Sequence, residues 1–221
     1  MSPRRFDAVL FDLDGTLIDS AADIAAAVNH VRSGMGLAPL ESDVVRRYIG
    51  DGVRVLLERS LTTQDPTILD RALGRWREHY GEHCLDRTIL YDGIVQVLEL
   101  LSSRKVTMSV VSNKPAAFSE RILRGLGVRA FFTVVVGGDT VATRKPDPAP
   151  LQWATRKMRL HSKRVLVVGD SPIDIQAAKR AGYTSCGVLW GLVDAMVIRA
   201  SKPDFLAERP SDVQRIVIGD E

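Results

Sequence analysis

Asp12 and Asp14 stand two residues apart at the end of the apolar run Val9-Leu10-Phe11, and Gly15-Thr16-Leu17 follows at once. Side chains i and i+2 on an extended backbone leave the same face, so the two carboxylates converge. Two like charges held that close require a cation or a shared proton. Three later segments also run from apolar residues into polar ones. Residues 106–111 lead into Ser112-Asn113-Lys114-Pro115, and residues 134–136 lead through Gly137-Gly138-Asp139 to Arg144-Lys145-Pro146-Asp147-Pro148. Residues 165–168 lead into Gly169-Asp170-Ser171-Pro172-Ile173-Asp174. Taken singly, Ser112 reads as a helix cap and Lys145 as a solvated loop cation. Asp170 and Asp174 read as acids on one face of a helix start, where the dipole favours them. Together these strand ends gather four carboxylates, a hydroxyl and a lysine, which is a set suited to phosphoryl transfer. One carboxylate can attack phosphorus, another can carry a proton, and hydroxyl and ammonium donors can hold phosphoryl oxygens.

Two patterns of elements must position these residues. Residues 17–90 keep a helical period throughout. Ser20-Ala21-Ala22-Asp23 has capping-box spacing, and Ile24, Val28, Val31 and Met35 continue as a stripe up to Gly34 and Gly36. Short helices are expected over 42–49 and 53–61, separated by Gly50-Asp51-Gly52. A long one starts at Asp65-Pro66, with Ile68, Leu69, Ala72, Leu73, Trp76 and Tyr80 on its apolar face. No strand is expected between Thr16 and Leu90. From Tyr91 onward helices alternate with short Val-rich strands, a pattern that calls for a parallel sheet with helices on both faces. The expected fold is α/β: a Rossmann-like parallel-sheet core from residues 1–16 and 91–221, with an all-α segment, residues 17–90, inserted after strand 1. The acids, the hydroxyl and the lysine then share the carboxyl edge of the sheet, where such folds bind ligands.

With 221 residues, 45% of them hydrophobic and 26% charged, the chain is long enough for one large domain carrying an insertion. No apolar run approaches the roughly 20 residues of a membrane span. The start Met1-Ser2-Pro3-Arg4-Arg5 leads into acid at Asp12, too early for a secretory signal, so a cytoplasmic protein is expected. Cys84 and Cys186 are read as small buried residues. The net charge of +3 comes without a Lys/Arg block, which argues against nucleic acid. The basic excess lies outside residues 17–90 and suits a small anionic substrate. His30, His79, His83 and His161 lack the companions of a helical metal motif, and Trp76, Tyr80 and Trp153 fall on packing stripes.

With its motifs assembled, the sequence resembles the haloacid dehalogenase superfamily. Asp12-Leu13-Asp14-Gly15-Thr16 has the form that marks the phosphate-transferring branch, and Ser112, Lys145 and Gly169-Asp170 with Asp174 supply the other three motifs. Within that superfamily the chain is similar to bacterial phosphoglycolate phosphatases over nearly its whole length. The matching residues include Phe11 to Ser20, Ile49-Gly50-Asp51-Gly52, Gly137-Gly138-Asp139-Thr140 and Asp174-Ile175-Gln176-Ala177-Ala178-Lys179. The resemblance implies that Asp12 is the nucleophile, forming an aspartyl-phosphate, and that Asp14 is the general acid and base. It implies Mg²⁺ held by Asp12, the backbone carbonyl of Asp14 and Asp170, with Asp174 and Ser171 in support. Ser112, Asn113, Lys145 and Thr16 would cradle the phosphoryl group. Residues 17–90 would form a cap, with Gly50, Gly52 and Arg54 on its substrate-facing loop. Arg54 would hold a substrate carboxylate, with Arg47 as its rival. Leu189-Trp190-Gly191-Leu192 departs from the Tyr-Gly-Tyr-Asn type of segment common in that subfamily, which leaves a sugar phosphate, a nucleotide or pyrophosphate as alternative substrates. A non-catalytic binding protein of this fold would be expected to lose at least one of Asp12, Asp14, Lys145 or Asp170, and all four are present. The expected partner is a small phosphate ester, with neither nucleic acid nor membrane, bound by a monomer or homodimer.

Overall fold

In the computed structural model, residues 4–160 and 164–219 are described; Met1 to Pro3 and His161 lie outside them. The chain begins with β1 (Ala8–Phe11) and β2 (Ile18–Asp19), then enters four helices, α1 (Ala21–Ser33), α2 (Ser42–Arg46), α3 (Val53–Leu61) and α4 (Pro66–His83). It returns through β3 (Ile89–Leu90) and alternates through α5 (Ile94–Ser103), β4 (Thr107–Val111), α6 (Ala116–Gly125), β5 (Val134–Val136) and α7 (Ala149–Lys157). It ends with β6 (Val165–Gly169), α8 (Pro172–Ala181), β7 (Thr184–Val188), α9 (Ala195–Ala200), β8 (Phe205–Ala207) and α10 (Pro210–Ile218).

Six strands form one parallel sheet in the order β5-β4-β1-β6-β7-β8. β1 is central, pairing Phe11 with Val110 of β4 and with Val168 of β6. The chain builds outward from β1 to β5 on one side, then crosses back to β6 and builds outward on the other. The reversal places a topological switch point beside β1, and ligands of open α/β sheets bind at such points, outside the strands' carboxyl ends. The strands can be apolar on both faces because helices cover both. Val9 and Phe11 enter one hydrophobic cluster with Leu166 and Val168, whereas Leu10 enters a second with Val165 and Val167, the two-residue alternation of a pleated strand. Each of these side chains is buried and contributes roughly 1.5–3 kcal/mol.

The helical insertion packs around α4. Its Trp76 and Tyr80 are fully buried and stack with ring centroids 4.4 Å apart. Asp65 caps this helix, accepting from the amides of Thr67 and Ile68 at 2.8 and 3.2 Å, and Pro66 opens its first turn.

Several local expectations are corrected. A strand does lie between Thr16 and Leu90: β2 pairs antiparallel with β3, Ile18 opposite Leu90 and Asp19 opposite Ile89, where the chain leaves and re-enters the sheet. Two residues are too few to show a period, so this ribbon is invisible in the pattern. Ser20 and Asp23 do not form a capping box. The Ser20 hydroxyl donates to Asp14, and Asp23 accepts from the Arg87 and Thr88 amides and the Thr88 hydroxyl, tying α1 to the returning chain. Met35 lies beyond the end of α1 and is 40% exposed, and α2 stops at Arg46, short of Ile49. Asp170 precedes Ser171, the N-cap of α8, so it lies in the loop after β6 and does not share a helical face with Asp174. The pair α9 and β8, together with α10, extends the sheet beyond the strands expected from the sequence.

Candidate active site

The sharp turn after β1 brings the first acids to the sheet edge. The Asp12 amide donates to the Val168 carbonyl at 2.8 Å, and the amides of Gly15 and Leu17 close the turn onto Ile18 and Leu13. Gly15 has φ +82°, and a Cβ there would lie 2.1 Å from Asp170 Oδ2. Backbone conformation and close approach therefore both demand glycine. Gly191 is constrained by close approach alone, since its Cβ would meet Asp170 Cβ at 2.3 Å and the Gly15 carbonyl at 2.5 Å.

Asp12, Asp170 and Asp174 each offer a carboxylate oxygen to one buried cluster, all within 4.8 Å of one another. Lys145 reaches into it, with Nζ 2.6 Å from Asp174 Oδ1 and 2.9 Å from Asp12 Oδ1. The contact with Asp12 lacks hydrogen-bond alignment, so its Oδ1 is buried with no hydrogen-bond partner among the described residues. The other oxygen of Asp174 accepts from the Ser171 hydroxyl at 2.6 Å and amide at 3.2 Å, closing the capping box of α8. Asp14 turns elsewhere. Its carboxylate accepts from Ser20 and pairs with Lys114, whose Nζ lies 2.8 and 3.1 Å from its two oxygens.

Residues 9–188 match the haloacid dehalogenase-like hydrolase family. The chain belongs to that family. It is 39% identical to the phosphoglycolate phosphatase of Aquifex aeolicus, with 95% of each chain covered. It is 37% identical to that of Colwellia psychrerythraea, with 86% of this chain and 88% of that one covered. Among solved structures it is similar to a predicted phosphoglycolate phosphatase from Haemophilus somnus, at 30% identity and a TM-score of 0.90, with 96% and 98% covered.

The electrostatics of this hydrolase explain what the cluster would hold. Burial, opposed by Lys145 and assisted by the charge of Asp174, pushes Asp12 up to about 6. Burial and the charges of Asp12 and Asp174 push Asp170 well above the usual carboxylate range. For Lys145, burial acts to lower the value, but the charges of Asp12 and Asp174 outweigh it and hold the ammonium above its ordinary range. Three carboxylates facing one ammonium leave a buried excess of negative charge. Such an all-oxygen, anionic set fits a hard divalent cation.

Thr16, Ser112 and Asn113 all lie at this edge and are buried. The Thr16 hydroxyl has no hydrogen-bond partner among the described residues, and the Ser112 amide holds the end of β4 to the Val136 carbonyl at 2.9 Å. Asn113 spends its side chain on backbone groups. Its side-chain amide donates to the carbonyls of Gly50 and Lys145, both at 3.0 Å, and its oxygen accepts from the Lys145 amide at 3.0 Å. That side chain staples the lysine loop to the insertion. Arg54 is corrected. Its guanidinium pairs with Asp70 on an exposed face and is not on the cleft wall, and Arg47 turns back to the Asp43 carbonyl. Gly50 and Gly52 do border the cleft.

The cleft has a volume of about 40 Å³, the space of a few water molecules. Asp12, Asp14 and Ser112 floor it, and Ile24, Ile49, Val53, Leu56 and Trp76 of the insertion roof it. Three contributors carried no assigned role at the level of sequence. Lys114 is 6% exposed and lies 4.8 Å over the Tyr80 ring. Arg46 of α2 donates to the carbonyls of Gly191 and Leu192, at 2.8 and 3.3 Å, and the Leu192 amide holds Asp170 at 2.7 Å. Trp190 donates to the Thr16 carbonyl at 3.1 Å. The one signal for Lys114 was its place beside Ser112 and Asn113 at a strand end. No helix among the described residues is long and apolar enough to cross a membrane.

Proposed function

We propose that this hydrolase is a Mg²⁺-dependent phosphomonoesterase that converts 2-phosphoglycolate to glycolate and phosphate through an aspartyl-phosphate. The observation that carries the chemistry is the buried Asp12 carboxylate, set beside the Lys145 ammonium and the other carboxylates at the switch point of the sheet. The substrate reading is supported by the relatives' names and by a lysine in the cleft lining, which suits an anionic ester.

Asp12 attacks phosphorus in line, the P–O ester bond breaks, and a proton from Asp14 goes to the departing alkoxide. Asp14 then takes a proton from water, whose oxygen attacks phosphorus and returns Asp12 as a carboxylate. Lys145, the Ser112 and Thr16 hydroxyls and the Asn113 N–H hold the equatorial oxygens, where charge accumulates. Asp12, the Asp14 backbone carbonyl and Asp170 would hold Mg²⁺, with Asp174 in support. When bound there, the cation would supply the charge that screens the nucleophile from the phosphate dianion. Residues 17–90 act as a cap that keeps bulk water out, and residues 1–16 and 91–221 form the core. The protein works in the cytoplasm as a monomer or homodimer. A panel of phosphate esters scored by kcat/KM, with Mg²⁺ and with EDTA, tests this reading. Phosphoglycolate is expected to lead the panel. A leading sugar phosphate, nucleotide or pyrophosphate overturns the substrate assignment, and the absence of any EDTA-sensitive hydrolysis overturns the phosphatase assignment.

A further inference from the structure

The roof of the cleft is aliphatic at Ile24, Ile49, Val53 and Leu56 and polar at one corner. There Lys114 sits above the Tyr80 ring, Tyr80 stacks on Trp76, and the edges of both rings meet Phe118 at 5.3 and 5.6 Å. Lys114 is the only cationic side chain lining the cleft among the described residues. Its ammonium carries three N–H bonds, and Asp14 takes at most two of them. Trp76 also lines the cleft and is 1% exposed, yet its Nε1–H has no hydrogen-bond partner among the described residues. A buried donor left without an acceptor is destabilising. The cleft wall thus holds one cation and one unpaired buried N–H donor, the groups beside which an anion would not be desolvated against hydrocarbon alone.

We propose that Lys114 and the Trp76 Nε1–H form the subsite for the carboxylate of the leaving group, and so select an acidic ester over a neutral one. This rests on the phosphoglycolate reading above and names the residues that impose it. Lys114 touches Asp14, the group that serves the ester oxygen. A carboxylate bound to Lys114 is thus adjacent to the departing atom, as it is in glycolate, where one carbon separates the two. The ring stack of the insertion holds the ammonium of the core loop, so the selectivity is built where core and insertion meet and owes nothing to Arg54.

The test is the ratio of kcat/KM for 2-phosphoglycolate to that for ethyl phosphate, its neutral analogue of equal chain length. It is measured with Mg²⁺ in the wild type, Lys114→Met and Trp76→Phe. Differences in leaving-group chemistry cancel when the ratio is compared between proteins. The wild type is expected to prefer phosphoglycolate. Lys114→Met is expected to lower that preference about 10- to 100-fold, and Trp76→Phe several-fold, as losses of a charged and a neutral donor. If Lys114→Met slows both esters by one factor, its ammonium serves only to hold Asp14 and the subsite is refuted. An unchanged ratio in Trp76→Phe removes the indole from it. Trp76→Phe keeps an aromatic ring in the stack and, with Lys114→Arg, decides the question should Lys114→Met fail to fold. A wild type with no preference for phosphoglycolate refutes the underlying substrate assignment, a result distinct from a preference that survives in every variant.

Discussion

Removing the nucleophile is expected to stabilise the metal-free protein at neutral pH. Asp12 is raised from 3.8 to about 6, first by burial and despite Lys145. Between those values the native state binds the proton more tightly than the unfolded chain does. The stability contributed by this group is therefore fully present below about pH 4 and lost as the pH rises through 6. Above that range the ionised carboxylate costs about 3 kcal/mol, at 1.36 kcal/mol per pH unit. Asparagine cannot ionise and escapes this cost. In EDTA at pH 7.5, Asp12→Asn should melt about 6–12 °C above the wild type, because about 1 kcal/mol moves a chain of this size by roughly 2–4 °C. At pH 4.5 the same linkage leaves a gap of about 1 kcal/mol. Mg²⁺ at 100 times its dissociation constant adds about 2.7 kcal/mol to the wild type and should nearly erase the difference at pH 7.5. Calorimetry or urea titration across these conditions checks the sequence of signs. An Asp12→Asn protein no more stable than the wild type at pH 7.5 in chelator would show that the attraction of Lys145 outweighs burial, and the electrostatic reading of the cluster would fail.

Ser112→Ala should lower kcat about 10²- to 10³-fold, as expected for one preorganised donor; a loss under threefold in single-turnover measurements rejects its place in the phosphoryl cradle. Gly191→Ala puts a Cβ 2.3 Å from Asp170. It should push the loop off that carboxylate and weaken Mg²⁺ binding in titration calorimetry, and an unaltered affinity refutes the coupling. Arg54→Ala should leave KM for phosphoglycolate unchanged and stability within about 0.5 kcal/mol, since it removes only an exposed pair; a large rise in KM would restore Arg54 to the substrate site.

The constellation was legible because its rules are local. Val-rich runs alternating with helical stripes dictate a parallel sheet, and a parallel sheet sends every strand's carboxyl end to one edge; the period of two does not continue past β1, where Asp14 turns away from Asp12 to Ser20 and Lys114. Asp12, Ser112, Lys145 and Asp170 therefore meet whatever the loops between them do. The two-residue ribbon of β2 and β3 escaped because two residues have no period.

The partners of each polar group were decided only by the fold. Lys114 and Lys145 both stand in loops after strands, and nothing in their neighbours assigns one to Asp14 and the other to Asp12 and Asp174. That choice depends on the aromatic stack under Lys114 and on the Asn113 staple that fixes the Lys145 loop, contacts spanning 34 and 32 residues. The Ser20 hydroxyl stays at the N-cap position of α1 but donates to Asp14, the acceptor that the turn after β1 brings beside it, and the long Arg54 side chain takes the nearest complementary charge the packing offers, Asp70. Spacing along the chain thus determined which atoms could react and at which edge of the sheet. Packing between distant segments determined which charges are dry, which are paired and which remain free for a substrate, because burial and distance set the strength of a charge and neither is a property of the local sequence.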